Sequence, residues 1–329
     1  MTAYLRGIQF YLPAGVRTNE ELVAANPGWS AEAIYAKTGI RARHITSAGE
    51  TAADLGHAAA EGLLDEVGLN RGDIDVLLFC TQSPDYFLPS TACLLQDRLG
   101  LPVSCGALDY NLGCSGFTYG LWLARALVHS ESARNVLLVV ADTYSKYCDP
   151  HDLATVTIFG DAGAAALISA SPEQCVARLG PTVVGTDGRG GANLIVRGGC
   201  ARLPQSAAPQ DRHLFMNGPE IFSFTLTSVK AGIDRLLDQV GLEWEEVDWF
   251  LFHQANRFML DRLRSIMRIP ESKLPVDMED VGNTVSASIP LLMRRRMDQG
   301  CFQPGQRCVL AGFGVGYSWA MTELTWGAD

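Results

Sequence analysis

An internal repeat constrains the fold of this chain more than any other feature of its sequence. Residues 63–79, LLDEVGLNRGDIDVLLF, match residues 236–252, LLDQVGLEWEEVDWFLF, without a gap at an offset of 173, and the same offset pairs RNVL at 134–137 with RCVL at 307–310. Each long copy has the pattern of a helix end, a glycine turn and a buried strand. Many α/β segments share that pattern, but sharing it alone would not conserve the spacing of both pairs. We therefore predict two similar α/β halves that meet near residues 169–180.

The composition is that of a large folded protein and excludes several classes of function. Of the 329 residues, 47% are hydrophobic and 19% are charged, which permits one large domain or two closely packed halves. The net charge of −10 argues against nucleic acid as a partner. No apolar run approaches the roughly 20 residues of a membrane span, and the N-terminus lacks the features of a signal peptide. A cytoplasmic location is the default prediction.

The nine cysteines point to neither a metal site nor a disulfide framework. None of them forms a CxxC pair, and most are expected to be inert small residues of the core. A glycine-rich segment at 186–213 has little periodicity, and we predict that it runs over the surface above a site.

Cys114 is the exception among the cysteines because of its local context. It stands in NLGCSG, after the apolar run CGALDYNL and directly before the helical pattern FTYGLWLARALV. A thiol at a helix N-terminus meets the positive end of the helix dipole and unpaired backbone N–H groups, which favour the thiolate. The flanking glycines, Gly113 and Gly116, permit a tight turn and close approach of a substrate. We therefore predict that Cys114 is a nucleophile.

Three further stretches carry polar groups at the ends of predicted strands. The repeat places Cys80 and His253 at equivalent positions directly after a strand, where α/β proteins tend to have functional loops. Asn283 lies in VGNTVSASIP, where a Gly-Asn pair also fits ordinary turn chemistry. The glycine-rich GFGVGYSW, which contains Val315, follows a predicted strand and is suited to directing a backbone N–H at a reacting carbonyl.

Together these stretches resemble the β-ketoacyl-acyl-carrier-protein synthase III family of the thiolase superfamily. The resemblance runs nearly end to end and rests on motifs in family order: TGIRARH, GCSGFTYGL, CDP, IFGDAGAA, HQAN, GNT and FGVGYSW. It implies an α/β thiolase fold with a five-layered αβαβα arrangement of two duplicated halves, usually as a homodimer. On this division, residues 1–172 form the half with the nucleophilic cysteine, and residues 173–329 form the half with the catalytic histidine and asparagine.

The resemblance implies that Cys114, His253 and Asn283 form a catalytic triad. Acyl transfer from a thioester to Cys114 would precede decarboxylative Claisen condensation with a malonyl thioester, with His253 and Asn283 as hydrogen-bond donors to the developing oxyanion. The backbone N–H groups of Cys114 and Val315 would form an oxyanion hole. The family usually has glycine where Val315 stands, so this donor requires dihedrals that valine tolerates. The implied substrate-binding residues are Asn256, Leu88, Phe159, Tyr144 and Phe313, of which Leu88 would cross to line the acyl pocket of the partner subunit.

Other functions are compatible with the same residues. One is an acyltransferase that passes the acyl group to an alcohol, amine or other acceptor without condensation, and another is a non-catalytic subunit of an active homologue. An intact Cys114, His253 and Asn283 argues against the subunit. No cofactor is expected, since acyl-CoA or acyl-carrier-protein thioesters are substrates.

The donor prediction rests on residues that the family uses to clamp coenzyme A. Relatives that load from coenzyme A hold its adenine between a tryptophan and an arginine, where this chain has Ala33 and Leu153, with Lys37 replacing a further arginine. We therefore predict faster loading from acyl carrier protein. Docking of that acidic protein would use an arginine patch on one side of the helix after HQAN, although an ordinary solvated helix face is the equal alternative. The patch comprises Arg257, Arg264 and Arg268.

Overall fold

Strands and helices alternate along both halves of the chain in the computed structural model, which describes residues 1–205 and 208–327. The strands are β1 Tyr4–Tyr11, β2 Gly15–Thr18, β3 Ala42–Ile45, β4 Val76–Cys80, β5 Gly106–Tyr110, β6 Asn135–Asp142, β7 Ala162–Ser169, β8 Ala177–Thr186, β9 Leu194–Val196, β10 Leu214–Met216, β11 Trp249–Phe252, β12 Arg307–Gly314 and β13 Ser318–Trp326. The helices are α1 Asn19–Ala25, α2 Ala31–Thr38, α3 Ala52–Val67, α4 Thr91–Arg98, α5 Gly116–His129, α6 Leu153–Val156, α7 Gly218–Val240, α8 Arg257–Met267 and α9 Ser288–Asp298.

The main sheet contains two sets of strands that repeat the same pairing pattern. Its order is β11-β12-β13-β8-β1-β7-β6-β4-β5. In one set, β1 pairs antiparallel with β7, β7 pairs antiparallel with β6, and β6 pairs parallel with β4. In the other set, β8 pairs antiparallel with β13, β13 pairs antiparallel with β12, and β12 pairs parallel with β11. The two sets meet over a short stretch, where Tyr4 and Leu5 of β1 pair with Arg178 and Ala177 of β8. Most of the sheet's length therefore belongs to one set or the other.

The offset of 173 seen in the sequence corresponds to equivalent elements in space. It relates β4 to β11, β6 to β12, α3 to α7 and α5 to α9. Gly68 and Gly241, which are equivalent in the repeat, both end a helix in the left-handed conformation, at φ of 61° and 66°. A residue with a Cβ would be strained there. The predicted repeat is therefore a structural duplication, while the division at 172/173, between β7 and β8, stays a prediction.

Alternating strand residues build a central core and two outer cores. Leu138 of β6 and Leu310 of β12 pack in the central core together with α5 and α9. Their neighbours point the other way: Leu137 packs in the core beneath α3, and Val309 packs in the core beneath α7. Because successive side chains of a strand face opposite sides, each strand contributes to two cores. Helices thus lie outside and between the two sets of strands, which is the predicted five-layer order.

The glycine-rich excursion predicted at 186–213 contains more order than its sequence indicates. Strands β9 and β10 pair antiparallel as a separate two-stranded sheet, and Leu194, Leu214 and Met216 from this region line cavities described below. Residues 206 and 207 lie outside the described residues. Within the described ranges, no helix is long and apolar enough to cross a membrane.

Candidate active site

Cys114 lies on the short segment between β5 and α5, immediately before Ser115, the N-cap of α5. Its side chain is 6% exposed. Gly314, at the end of β12, faces it so closely that a Cβ there would stand 2.8 Å from the Cys114 Cβ and 2.9 Å from its Sγ. Glycine therefore allows the C-terminal half to approach the thiol.

His253 directly follows β11, on the C-terminal half, and is held by both its backbone and its ring. Its backbone N–H donates to the carbonyl of Ala311 at 2.9 Å, and its Nδ1 lies 2.7 Å from the Ser288 hydroxyl. Burial lowers the pKa of His253 to about 3, despite a hydrogen bond with the backbone of Val285 that opposes this change. The imidazole is therefore neutral at physiological pH.

Asn283 follows Gly282, which has φ of 73°, and its side-chain amide is fixed from both ends. Oδ1 accepts a hydrogen bond from the backbone N–H of Val285 at 2.9 Å, and Nδ2 donates to the carbonyl of Ala255 at 3.3 Å. The main chain of Asn283 pairs with Phe159 in an isolated parallel bridge. One N–H of the amide remains for another acceptor.

These three side chains line one small cavity although they lie far apart in sequence. The cavity has a volume of about 50 Å³ and is otherwise largely apolar. Asn256, Phe159 and Phe313 also line it. Asn256 is in addition the N-cap of α8, where its side chain accepts a hydrogen bond from the backbone N–H of Met259. The predicted triad and three of the five predicted substrate-binding residues are therefore neighbours.

Burial has the largest effect on the pKa of Cys114. Burial raises the pKa of its thiol to about 12, with a further rise from the carboxyl of Asp142. Backbone N–H groups of Cys114 and Val315 act in the opposite direction. The sequence indicated an environment that favours the thiolate, whereas these donors do not offset desolvation and the thiol is protonated at physiological pH.

A second cavity, of about 940 Å³, adjoins the catalytic one. Tyr144 and Val315 line it, and Leu194 lines both cavities. Leu88, the remaining predicted substrate-binding residue, is 83% exposed and lines neither of the two. Its predicted place in the acyl pocket of the partner subunit stays a prediction.

Comparison with known proteins gives the family of this chain. Residues 108–188 match the family model for 3-oxoacyl-[acyl-carrier-protein (ACP)] synthase III, and residues 237–326 match the model for its C-terminal part. A β-ketoacyl-[acyl-carrier-protein] synthase III of Deinococcus deserti is 35% identical, over 96% of this chain and 89% of the relative. A Streptomyces coelicolor relative with that description is 36% identical, over 98% and 97%. This chain belongs to the β-ketoacyl-acyl-carrier-protein synthase III family.

Solved structures of synthase III proteins and a related ketosynthase superpose closely on it. A 3-oxoacyl-(acyl-carrier-protein) synthase III superposes with a TM-score of 0.94 at 48% identity, covering 99% of this chain and 100% of the other. A priming β-ketosynthase of a polyketide biosynthetic pathway has a TM-score of 0.89 at 28% identity, covering 100% and 97%. The predicted thiolase fold and acyltransferase class are confirmed. So is synthase III-like condensation in fatty acid or polyketide biosynthesis, whereas acyl transfer without condensation is not favoured.

Two expectations about synthase III features are modified by the structure. Val315 does not have a positive φ, unlike Val285 at 52°, so its N–H is directed at the thiol without left-handed strain. The predicted arginine patch is not a uniform helix face. Arg268 lies beyond α8 as its left-handed C-cap, and Arg264 is paired with Asp261 and Glu271.

Sequence reasoning missed three residues that support the synthase III site. Ser288 binds the ring of His253, and Asp142 is a buried carboxyl at the end of β6. Gln82 accepts a hydrogen bond from the hydroxyl of Tyr144. Ser288 stands within VGNTVSASIP, whereas Gln82 and Asp142 lie outside the motifs of the sequence analysis, and the partners of all three are distant in sequence. No local pattern indicated those contacts.

Proposed function

We propose that Cys114, His253 and Asn283 together carry out acyl loading and decarboxylative condensation. The observation that supports this most is their meeting at one cavity, although they stand after β5, after β11 and before α9. In the first step, Sγ of Cys114 forms a bond to the carbonyl carbon of an acyl thioester. The bond from that carbon to the donor sulfur breaks, and the leaving thiolate takes the proton of the Cys114 thiol. The N–H groups of Cys114 and Val315 stabilise the tetrahedral oxyanion.

In the second step, a malonyl thioester loses its carboxylate as carbon dioxide. The electron pair of the broken bond forms an enolate, whose oxygen accepts hydrogen bonds from His253 and from the free N–H of Asn283. His253 is neutral, and we assign its single ring proton to Nε2, with Nδ1 accepting from the Ser288 hydroxyl, so that Nε2–H is the donor. The enolate carbon then attacks the acyl carbonyl, the bond from that carbon to Sγ breaks, and the leaving Cys114 thiolate takes one proton from solvent. The steps balance without a metal or redox cofactor.

Intact-mass analysis with a carbon dioxide assay tests both steps. Acyl thioesters should add one acyl mass to the wild type, peptide mapping should locate it on Cys114, and labelled malonyl thioester should release labelled carbon dioxide. Cys114→Ala should abolish the adduct. Cys80→Ala, a matched loss of a buried thiol, should retain it. An adduct on another cysteine with Cys114 unmodified would refute the proposed chemistry.

Acyl carrier protein is the substrate partner that the family name states, and we propose that it loads this chain faster than coenzyme A does. Ala33 and Leu153 lack the stacking and cation–π groups that hold adenine. Asn256 would serve the pantetheine arm that both donors share. Stopped-flow acylation with matched donors should favour the carrier protein, with a rate that falls as salt rises.

Arg257 is the best residue with which to test carrier docking. It is exposed at the first position of α8, whereas reversing Arg264 would also break its two ion pairs. Arg257→Glu should slow loading from the carrier protein more than loading from coenzyme A. Arg134→Glu, an exposed change of equal charge just before β6, is the control. Equal slowing by both variants would contradict docking at α8.

We further propose a homodimer formed along β5. Within residues 1–205 and 208–327, this strand is an outer edge of the main sheet and pairs with β4 alone. Exposed apolar side chains are found on β5, at Leu108, and on the segment between β4 and α4, at Tyr86, Phe87 and Leu88, and exposed apolar groups of this kind mark interfaces. Sedimentation analysis should find a dimer that a Leu108→Asp substitution weakens. A fully active monomer would contradict this proposal.

The free state of all nine cysteines agrees with the reducing cytoplasm, which we propose as the location.

A further inference from the structure

The larger cavity beside the catalytic site has two chemically different walls. One wall is apolar and is formed by the β9–β10 region together with Val315. The other wall is polar, which is unexpected if the acyl group is a plain alkyl chain. Its uncharged side chains used below are Gln82, Asn111, Tyr144 and Tyr147. The cavity is also lined by residues in or beside the proposed dimer interface, namely Asp85, Tyr86, Phe87, Ser90 and Asp109.

Gln82 is the centre of this polar wall and is held by its neighbours. Its Oε1 accepts a hydrogen bond from the hydroxyl of Tyr144, and its Nε2 donates to Oδ1 of Asn111 at 2.9 Å. Its backbone N–H donates to Oδ1 of the buried Asp142 at 2.8 Å. Tyr144 is itself 4% exposed and packs against the ring of Phe159. The wall is therefore preorganised.

The polar wall begins beside the nucleophile. A Cβ placed on Gly113, the residue before Cys114, would stand 2.5 Å from Oε1 of Gln82 and 2.7 Å from Cγ1 of Val315. Tyr144 shares a cluster of packed side chains with Cys114. An acyl group on Sγ that extends into the larger cavity would therefore meet Gln82 and Tyr144 with its first few carbons.

The wall retains hydrogen-bonding capacity that an alkyl chain cannot use. Within the described residues, Nε2 of Gln82 has a second N–H that is free to donate, and Nδ2 of Asn111 has no protein acceptor. The hydroxyl of Tyr144 has lone pairs beyond its one donated hydrogen bond. A hydroxyl or keto oxygen on the acyl group would form hydrogen bonds with these side chains. A methylene group would displace the water that binds them and would leave their hydrogen bonds unmade.

The charges around this cavity favour a neutral oxygen over a carboxylate. No Lys, Arg or His is among the described residues that line it, whereas Asp85 and Asp109 do line it. Both carboxylates are already used near helix N-termini, because Asp109 accepts from the N–H groups of Thr91 and Ala92, and Asp85 accepts from that of Ala53. An anionic acyl group would meet like charges and find no cation.

We propose that this enzyme selects acyl groups carrying an uncharged hydroxyl or keto oxygen within a few carbons of the thioester. Gln82 and Tyr144 are the specificity determinants. This inference rests on the proposed function, because it requires acylation of Cys114. It concerns which acyl group is loaded and leaves the chemistry of condensation unchanged.

The test compares four-carbon acyl thioesters of one carrier that differ in polarity and charge. The rate at which Cys114 gains 3-hydroxybutyryl, butyryl or succinyl groups is followed by intact mass. The wild type should load 3-hydroxybutyryl about 10-fold faster than butyryl. A larger factor is not expected, because Gln82 and Tyr144 keep their hydrogen bond to each other when butyryl binds. Butyryl leaves only their remaining donor and acceptor positions without a partner. Succinyl should be the slowest.

The variants separate specificity from general damage, because the ratio of two rates is measured in each. Gln82→Met and Tyr144→Phe should bring the ratio of 3-hydroxybutyryl to butyryl loading close to one. Tyr11→Phe, at the exposed end of β1, should keep the wild-type ratio. Equal loading by the wild type, or an unchanged ratio in Gln82→Met, would overturn the polar pocket and leave the proposed function standing. Failure of every thioester to acylate Cys114 would overturn both.

Discussion

Asp142 is expected to make the stability of this protein depend on pH, and Asp142→Asn should remove that dependence. The carboxyl is 1% exposed, and burial raises its pKa from 3.8 to about 7. Its oxygens accept hydrogen bonds from the backbone N–H of Gln82 at 2.8 Å and from the hydroxyl of Ser286 at 2.5 Å. These two bonds favour the charged form but do not offset its desolvation.

The sign and size of the effect follow from the two pKa values. Between about pH 4 and pH 7, the folded state keeps a proton that the unfolded chain has released. The free energy of unfolding therefore falls as pH rises through this window and levels off above it. A difference of about 3 pKa units corresponds to ~4 kcal/mol, and partial relaxation of the folded site reduces this to about 2–4 kcal/mol.

Asparagine fits this position without a charge. Its amide oxygen can accept from Gln82, and its amide N–H can donate to the hydroxyl of Ser286. Urea unfolding at fixed protein concentration, at several values between about pH 5 and pH 8, should show a falling free energy of unfolding for the wild type and a flatter profile for Asp142→Asn. Asp97→Asn, an exposed change of equal charge on α4, should retain the wild-type profile.

Alkylation of the nucleophile gives a second measurement of the same change. The charge of Asp142 is the second cause of the raised pKa of Cys114, so Asp142→Asn should speed iodoacetamide alkylation of Cys114 several-fold at about pH 8. Parallel pH profiles for the wild type and Asp142→Asn would refute this account of the buried carboxyl.

Three further predictions concern the catalytic groups. Asn283→Ala should leave acylation of Cys114 nearly intact but depress condensation by a factor on the order of 100, because only the enolate oxygen loses a hydrogen-bond donor. Separate mass and carbon dioxide assays measure the two steps, and an equal loss in both would contradict this prediction. Gly314→Ala should block acylation, since its Cβ would stand 2.9 Å from Sγ of Cys114, and a mass spectrum showing normal loading would exclude that clash. Because burial lowers the pKa of His253 to about 3, the condensation rate should show no titration of this ring between about pH 8 and pH 5.5. Ser288→Ala should lower that rate about 10-fold, because Nδ1 loses its hydrogen-bond partner. A histidine-like step in the pH–rate profile of the wild type would contradict the buried neutral ring.

The sequence was sufficient for features that depend on local patterns. Hydrophobic periodicity and glycine turns, repeated at an offset of 173, indicated the duplicated α/β halves, and the positions of β4 and β11 agree with it. The junction of strand and helix at Cys114 and the loop position of His253 were also readable, because glycines and apolar runs mark where elements begin and end. Motif order was sufficient to indicate the family.

Only the tertiary structure decided the environment of these residues. Cys114, His253 and Asn283 meet because β5, β11 and the segment before α9 converge, which depends on the packing of the two halves. The sequence indicated a helix dipole that favours thiolate, whereas burial from all sides raises the pKa of Cys114 to about 12. Likewise, the bond between Gln82 and Tyr144 joins residues on separate segments after β4 and β6. Burial and desolvation are sums over neighbours from distant parts of the chain, so no local pattern specifies them.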